Sequence, residues 1–109
     1  MESKTYAVRI LDMFHYQDPE HELLIDGFPS LALAIEYARR RVWDSVEECR
    51  GPDCSKDELR RRWVTFGEDA IVVGGNYAGS HEIEFFVDNP ATPEQRDWPA
   101  IARISGVGS

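Results

Sequence analysis

Residues 31–49 read LALAIEYARRRVWDSVEEC, nineteen positions without a glycine or a proline. Leu31, Ala34, Ile35, Ala38, Val42, Val46 and Cys49 recur at three- and four-residue steps, the spacing of one apolar helix face. Glu36, Arg40, Asp44 and Glu48 fall on the other face, where Glu36–Arg40–Asp44 makes two opposite-charge pairs four residues apart. Ser30 suits the N-cap and Gly51-Pro52 the stop, so the spacing predicts a rod roughly 28 Å long. Such a helix must bury its stripe against a second layer. In a chain of 109 residues, the size of a single domain, the flanking segments have to supply it.

Those segments read as strands. Residues 5–11 (TYAVRIL) alternate Tyr6, Val8 and Ile10 against Ala7, Arg9 and Leu11, and residues 22–26 (ELLID) end at Gly27 and Pro29. The stretch DMFHYQDPEHE, residues 12–22, then joins an antiparallel pair. After the long helix, Ser55 and Glu58 form a capping box for a short second helix that buries Leu59 and Trp63 and ends at Gly67. Residues 70–73 (AIVV) predict a third strand and GGNYAG a turn. Residues 81–87 (HEIEFFV) predict a fourth strand, with Ile83, Phe85 and Val87 inward and Phe86 outward. In the tail, Thr92-Pro93-Glu94-Gln95 has the pattern of a capped helix start, Pro99 breaks or restarts it, Ile101 and Ile104 bury, and residues 105–109 fray. The fold class that follows is α+β over residues 1–109: a four-stranded, mainly antiparallel sheet, order β-β-α-α-β-β-α, with the long helix across one face.

Charge narrows the functions. The net charge of −8 is carried by the ends: residues 1–35 sum to −4, residues 36–62 to +1 and residues 63–109 to −5. Acidic ends repel a phosphate backbone, which disfavours nucleic acid as a partner. No apolar run approaches the ~20 residues of a membrane-spanning helix. MESKTYAVRI has no apolar signal core, which predicts a cytoplasmic protein.

Two polar stretches are candidate sites. In DMFHYQDPEHE, His15, Tyr16, Asp18 and His21 could bind a ligand, or His15, Asp18 and His21 a divalent ion, although no fixed metal motif is matched. The simpler reading is a solvated hairpin tip with Phe14 and Tyr16 covering the sheet edge. In FGED, residues 66–69, Glu68 or Asp69 could sit beside His15, the minimum pair for acid–base chemistry and equally a means of ordering two loops. No nucleophile, phosphate-loop or zinc-protease signature accompanies either stretch, which favours the structural reading.

The stretches Asp12-x-Phe14-His15-Tyr16-x-Asp18 and Phe66-Gly67-Glu68-Asp69 together resemble a family of small bacterial proteins of uncharacterised function, over most of residues 5–73. That family carries Asn where Met13 stands and Pro where Ala70 stands. The resemblance implies the layout of strand, polar loop, long helix and second polar loop. It implies no activity, cofactor or catalytic residue.

Cys49 and Cys54 lack the second pair that a zinc ribbon needs, and Cys49 reads as core. The triplets Arg39-Arg40-Arg41, near Trp43, and Arg60-Arg61-Arg62, beside Trp63, each span about 200° of a helix, too wide for one flat patch. They read as solvated faces or, alternatively, as an anion-binding set of Arg39, Arg61 and Arg62. Taken together the sequence predicts an interaction module, self-associating as a homodimer through its sheet or long helix, with no catalytic activity and no cofactor. The alternative is a small-molecule or metal binder, or an enzyme, built on the His15/His21 and Glu68/Asp69 loops. Anion or nucleic-acid binding by the arginines is third.

Overall fold

The computed structural model describes residues 5–15, 18, 20 and 22–107. Strand β1 (Tyr6–Asp12) leads through a 3-10 turn (Met13–His15) towards β2 (Glu22–Phe28). Helices α1 (Leu31–Cys49) and α2 (Lys56–Phe66) follow, then β3 (Glu68–Val73), a two-residue β4 (Tyr77–Ala78) and a 3-10 turn (Gly79–Glu82). The chain closes with α3 (Ile83–Asp88), a further 3-10 turn (Glu94–Arg96) and α4 (Trp98–Ser105). This is an α+β fold. The four strands are antiparallel in the order β2-β1-β3-β4, and α1 spans one face of the sheet.

The expected caps form. Ser30 Oγ accepts from the Leu33 N–H at 3.2 Å, and Ser55 Oγ from the Glu58 N–H at 3.1 Å. Val8, Ile10, Ala70 and Val72 point from the two central strands into the core, where Ala38, Val42 and Val46 of α1 meet them. The stripe is wider than the one predicted. Tyr37 and Trp43 are fully covered, while Leu31 and Ile35 are half-buried. Tyr37 packs between Phe28 of β2 and Trp98 of α4, and Trp43 stacks on Phe86 of α3, so the helix is covered by the C-terminal elements as well as by the sheet.

The opposite face of the sheet is not packed by α1 and is only partly covered. Alternation turns Ala7, Arg9 and Leu11 of β1, Glu22, Leu24 and Asp26 of β2, and Asp69, Ile71 and Val73 of β3 that way; Arg9, Leu24, Asp26 and Val73 are exposed, and Asp69 is buried. β2 is longer than expected because Gly27, at φ 94°, takes up a bulge that lets Phe28 return to the core.

Residues 81–87 are not a strand, which corrects the reading of HEIEFFV. β4 pairs only through Ala78 with Ile71 and Tyr77 with Val72. Asp69 Oδ1 then accepts from the Ser80 N–H at 3.0 Å and the Ala70 N–H at 2.8 Å, taking backbone donors where a longer ladder would continue. Gly79 packs so close to α1 that a Cβ there would run into Val42. The chain leaves the sheet and coils into α3, which buries Ile83 partly and Phe86 and Val87 fully. Phe86, expected outside, is covered and stacked on Trp43, with ring centroids 5.0 Å apart. Three further expectations change. Residue 14 lies in a 3-10 turn and Phe14 is exposed; Tyr16, paired with it as edge cover, lies outside the described residues. Ile104 is exposed because α4 presents Ile101 and Ala102 inward. The tail does not fray at residue 105: Gly106 caps α4 at φ 74° and the Val107 N–H donates to Ala102 O at 3.1 Å.

Candidate functional site

The antiparallel pairing of β1 with β3 sets Asp12 opposite Glu68, and one step on the Met13 N–H donates to Gly67 O at 2.9 Å. The ends of the two polar stretches are therefore neighbours. Asp12 shapes the first. Its Oδ1 accepts from the Phe14 N–H at 3.0 Å and its Oδ2 meets His15 Nδ1 at 3.0 Å, which folds DMFH into a single 3-10 turn. That turn carries the Phe14 ring onto Phe66, with centroids 5.5 Å apart and planes 21° from parallel. Both rings are largely in solvent, 60% and 65% exposed.

Behind this aromatic pair lies a cleft of about 310 Å3 lined by Asp12, Arg41, Asp44, Ser45, Glu48, Phe66, Glu68 and Trp98. Arg41 is its fixed cation. Its Nε donates to Glu68 Oε1 at 3.1 Å and its Nη1 to Tyr37 Oη at 2.6 Å, and its guanidinium carbon lies 4.4 Å from the centre of the Trp98 ring. Burial would by itself lower the Arg41 pKa; the hydrogen bond and charge of Glu68, helped by Tyr37, outweigh it and hold the group above the ordinary arginine value. Asp44 is fixed from the chain's far end, accepting from Arg96 Nε at 2.7 Å and Trp98 Nε1 at 3.1 Å. Ser45 Oγ accepts from the Glu68 N–H at 2.8 Å. Glu48 is exposed at the cleft and its side chain makes no hydrogen bond among the described residues. The carboxyl of Asp12 is held below its ordinary range chiefly by its hydrogen bond to His15.

The predicted residues fare unevenly in this geometry. Glu68 lines the cleft, and His15 stands beside it through Asp12. Asp69, next to Glu68 on a strand, points to the other face and is buried in its bonds to Ser80 and Ala70, so it does not join the pair. Asp18 closes its own turn, donating from its N–H to His15 O at 2.9 Å and accepting from the Glu20 N–H at 3.0 Å. Tyr16 and His21 lie outside the described residues. Among the described residues no three His, Cys, Asp or Glu side chains are placed to share a metal ion.

The arginine set disperses. Arg39 pairs with Glu82 at 3.0 Å over Trp43, whereas Arg62 bonds Cys49 O at 3.3 Å and Glu58 at 3.5 Å. Arg39 and Cys49 are ten residues apart on α1, roughly 15 Å of helix. Arg61 is exposed. Both cysteines are free thiols, and burial pushes the Cys49 thiol up, away from reactive thiolate character.

Residues that sequence reasoning passed over carry most of the cleft. Arg41, Asp44, Ser45 and Glu48 fall at i, i+3, i+4 and i+7, a polar stripe at helical spacing beside the apolar one. Read as a stripe rather than as part of a solvated face, it would have pointed here. Nothing local marks Trp98, which arrives from the opposite end of the chain. No protein-family model, curated protein or solved structure matches the chain.

Proposed function

We propose that this protein is a small cytoplasmic interaction module that self-associates through the open face of its sheet and acts by binding rather than by catalysis. The observation that carries the reading is the face itself. Leu24 and Val73 stand exposed there, at 58% and 43%, with Leu11 and Ile71 half-buried beside them. β2 forms one border of the sheet as a strand of seven residues, an edge that pairs readily with a second chain unless protected.

A second copy suits this face. The chain carries −8 overall, yet the charges at its centre, Arg9 and Glu22, neutralise each other at 3.0 Å. With strands ~4.8 Å apart and ~3.4 Å of rise per residue, the three long strands offer on the order of 400 Å2 a side. That is about half a standard interface, the size class of weak, transient association. The binding role also fits the cleft: Asp12, Glu68 and Asp44 are engaged by His15, Arg41 and Arg96, an arrangement that holds loops in place more readily than it exchanges protons.

Sedimentation equilibrium over a range up to about 100 μM tests the reading, since a weak association shows only at the upper concentrations. The wild type dimerises, and Leu24→Lys shifts it to monomer with its unfolding midpoint unchanged. A wild type that is monomeric throughout refutes the proposal.

A further inference from the structure

The stacked Phe14–Phe66 pair is a second apolar feature, separate from the open sheet face. Both rings are more than half exposed, and folding has placed them on each other rather than in the core. An exposed aromatic pair beside a concave charged surface is the usual anatomy of a recognition site. Phe66 is also a wall of the cleft, so ledge and cleft form one continuous surface.

The charge of the cleft selects what can lie there. Four carboxylates, Asp12, Asp44, Glu48 and Glu68, stand against Arg41 on its lining. Counting Arg96, bonded to Asp44 from outside, acids still lead four to two. Glu68, Asp44 and Asp12 are occupied by Arg41, Arg96 and His15, which leaves Glu48, exposed and without a side-chain bond among the described residues, as the acceptor for an incoming cation.

We infer that the Phe14–Phe66 ledge and the cleft behind it dock a basic segment of a partner protein, with an aromatic or leucine side chain packed on the two rings and a neighbouring lysine or arginine reaching Glu48. The occupant follows from charge complementarity. A second copy of this chain, at −8, would bring acid to an acidic cleft, and an anionic segment is excluded on the same ground. A free cation would satisfy Glu48 and leave the rings in water. A basic and apolar segment uses both halves of the surface. This inference concerns a different face from self-association and stands or falls separately.

The test uses the full chain in the Leu24→Lys background, so that dimerisation does not enter the reading. The probe is a fluorescein-labelled hexapeptide alternating lysine with phenylalanine, followed by anisotropy. Saturable binding with a Kd below about 1 mM is expected, weakening several-fold as salt rises from about 50 to 500 mM. Glu48→Lys and Phe66→Ser each weaken it at least fivefold, and the indole N–H resonance of Trp98 shifts on binding in the unsubstituted cleft. Both replaced side chains are exposed, and unchanged circular dichroism melts show that the fold persists. A hexapeptide alternating lysine with glycine binds at least fivefold more weakly, and one alternating glutamate with phenylalanine does not bind. The inference is overturned if the lysine–phenylalanine peptide fails to saturate, if neither substitution weakens it, if free lysine amide competes as well as the peptide does, or if Phe66→Ser alters the oligomeric mass of the wild-type chain.

Discussion

Replacing Arg41 by methionine keeps an unbranched apolar stem out to about the position of Nε and removes the guanidinium, which tests whether that group holds the cleft together. The Arg41 side chain is only 11% exposed and meets three partners. The first is the Tyr37 hydroxyl, which receives an N–H at 2.6 Å and belongs to a residue with no exposed surface; leaving it unpaired costs about 1–3 kcal/mol. The second is the Trp98 ring, whose loss of a desolvated cation costs about 1–2 kcal/mol. The third is Glu68, whose side chain is 40% exposed and returns to water at about 0–1 kcal/mol. Relief of guanidinium desolvation opposes these losses but does not cancel them, since the partners already hold the Arg41 pKa above its ordinary value despite burial. Arg41→Met is therefore expected to lose about 3 kcal/mol in urea unfolding. Tyr37→Phe alone loses about 1 kcal/mol, because the freed N–H faces a cleft that water can enter. The double variant removes the orphaned hydroxyl and should be more stable than the sum of the two losses by about 1–2 kcal/mol. Additive losses, or a loss below about 0.5 kcal/mol for Arg41→Met, would refute the argument.

Two pH-dependent effects follow with opposite signs. The Asp12 carboxyl is lowered from 3.8, first by the His15 hydrogen bond, so what it contributes is complete above the unfolded value and is lost as pH falls through the lower folded one. His15→Gln should move the Asp12 midpoint, followed by carboxyl 13C shifts, back up towards 3.8; an unmoved midpoint assigns the shift elsewhere. Tyr77 is raised from 10.0 by burial and then by its 2.6 Å bond to Glu82. Its contribution is complete below the unfolded value and declines as pH climbs above it, so Tyr77→Phe should flatten the loss of stability above pH 10.0. An equally steep alkaline loss in that variant would contradict this.

The long helix was legible because its signals agree: Ser30 caps it, nineteen residues lack a breaker, and one stripe is apolar. The capping box at Ser55–Glu58 and the mutual bonds of Thr92 and Gln95 were legible for the same reason, each being settled within four residues. The cleft was legible only at the point where its loops are tied to strands. Asp12 and Glu68 could be suspected as neighbours once β1 and β3 were taken as partners, but the side to which Glu68 and Asp69 each turn depends on strand register. Arg41 reads as one of three solvated arginines until Glu68 and Trp98 are brought to it from two distant places in the chain, beside Tyr37 one turn back on α1.

The sequence HEIEFFV shows the same limit most sharply, and it can be put to measurement. Ile83, Phe85 and Val87 satisfy a strand of period two, whereas Ile83, Phe86 and Val87 satisfy a helix, and seven residues are too few for periodicity to choose. The two conformations bury different rings. In the helix, Phe86 has no exposed surface and stacks on Trp43 at 5.0 Å, while Phe85 is 46% exposed and touches Trp43 only edge-on at 5.6 Å. Phe86→Ala should then lose about 3–5 kcal/mol, a covered aromatic with its cavity, and Phe85→Ala about 1 kcal/mol. A strand would exchange the two values. If Phe85→Ala proves the costlier substitution in urea unfolding, α3 is wrong. The stack on Trp43 would fall with it, and so would the account of Asp69 as the group that ends the sheet.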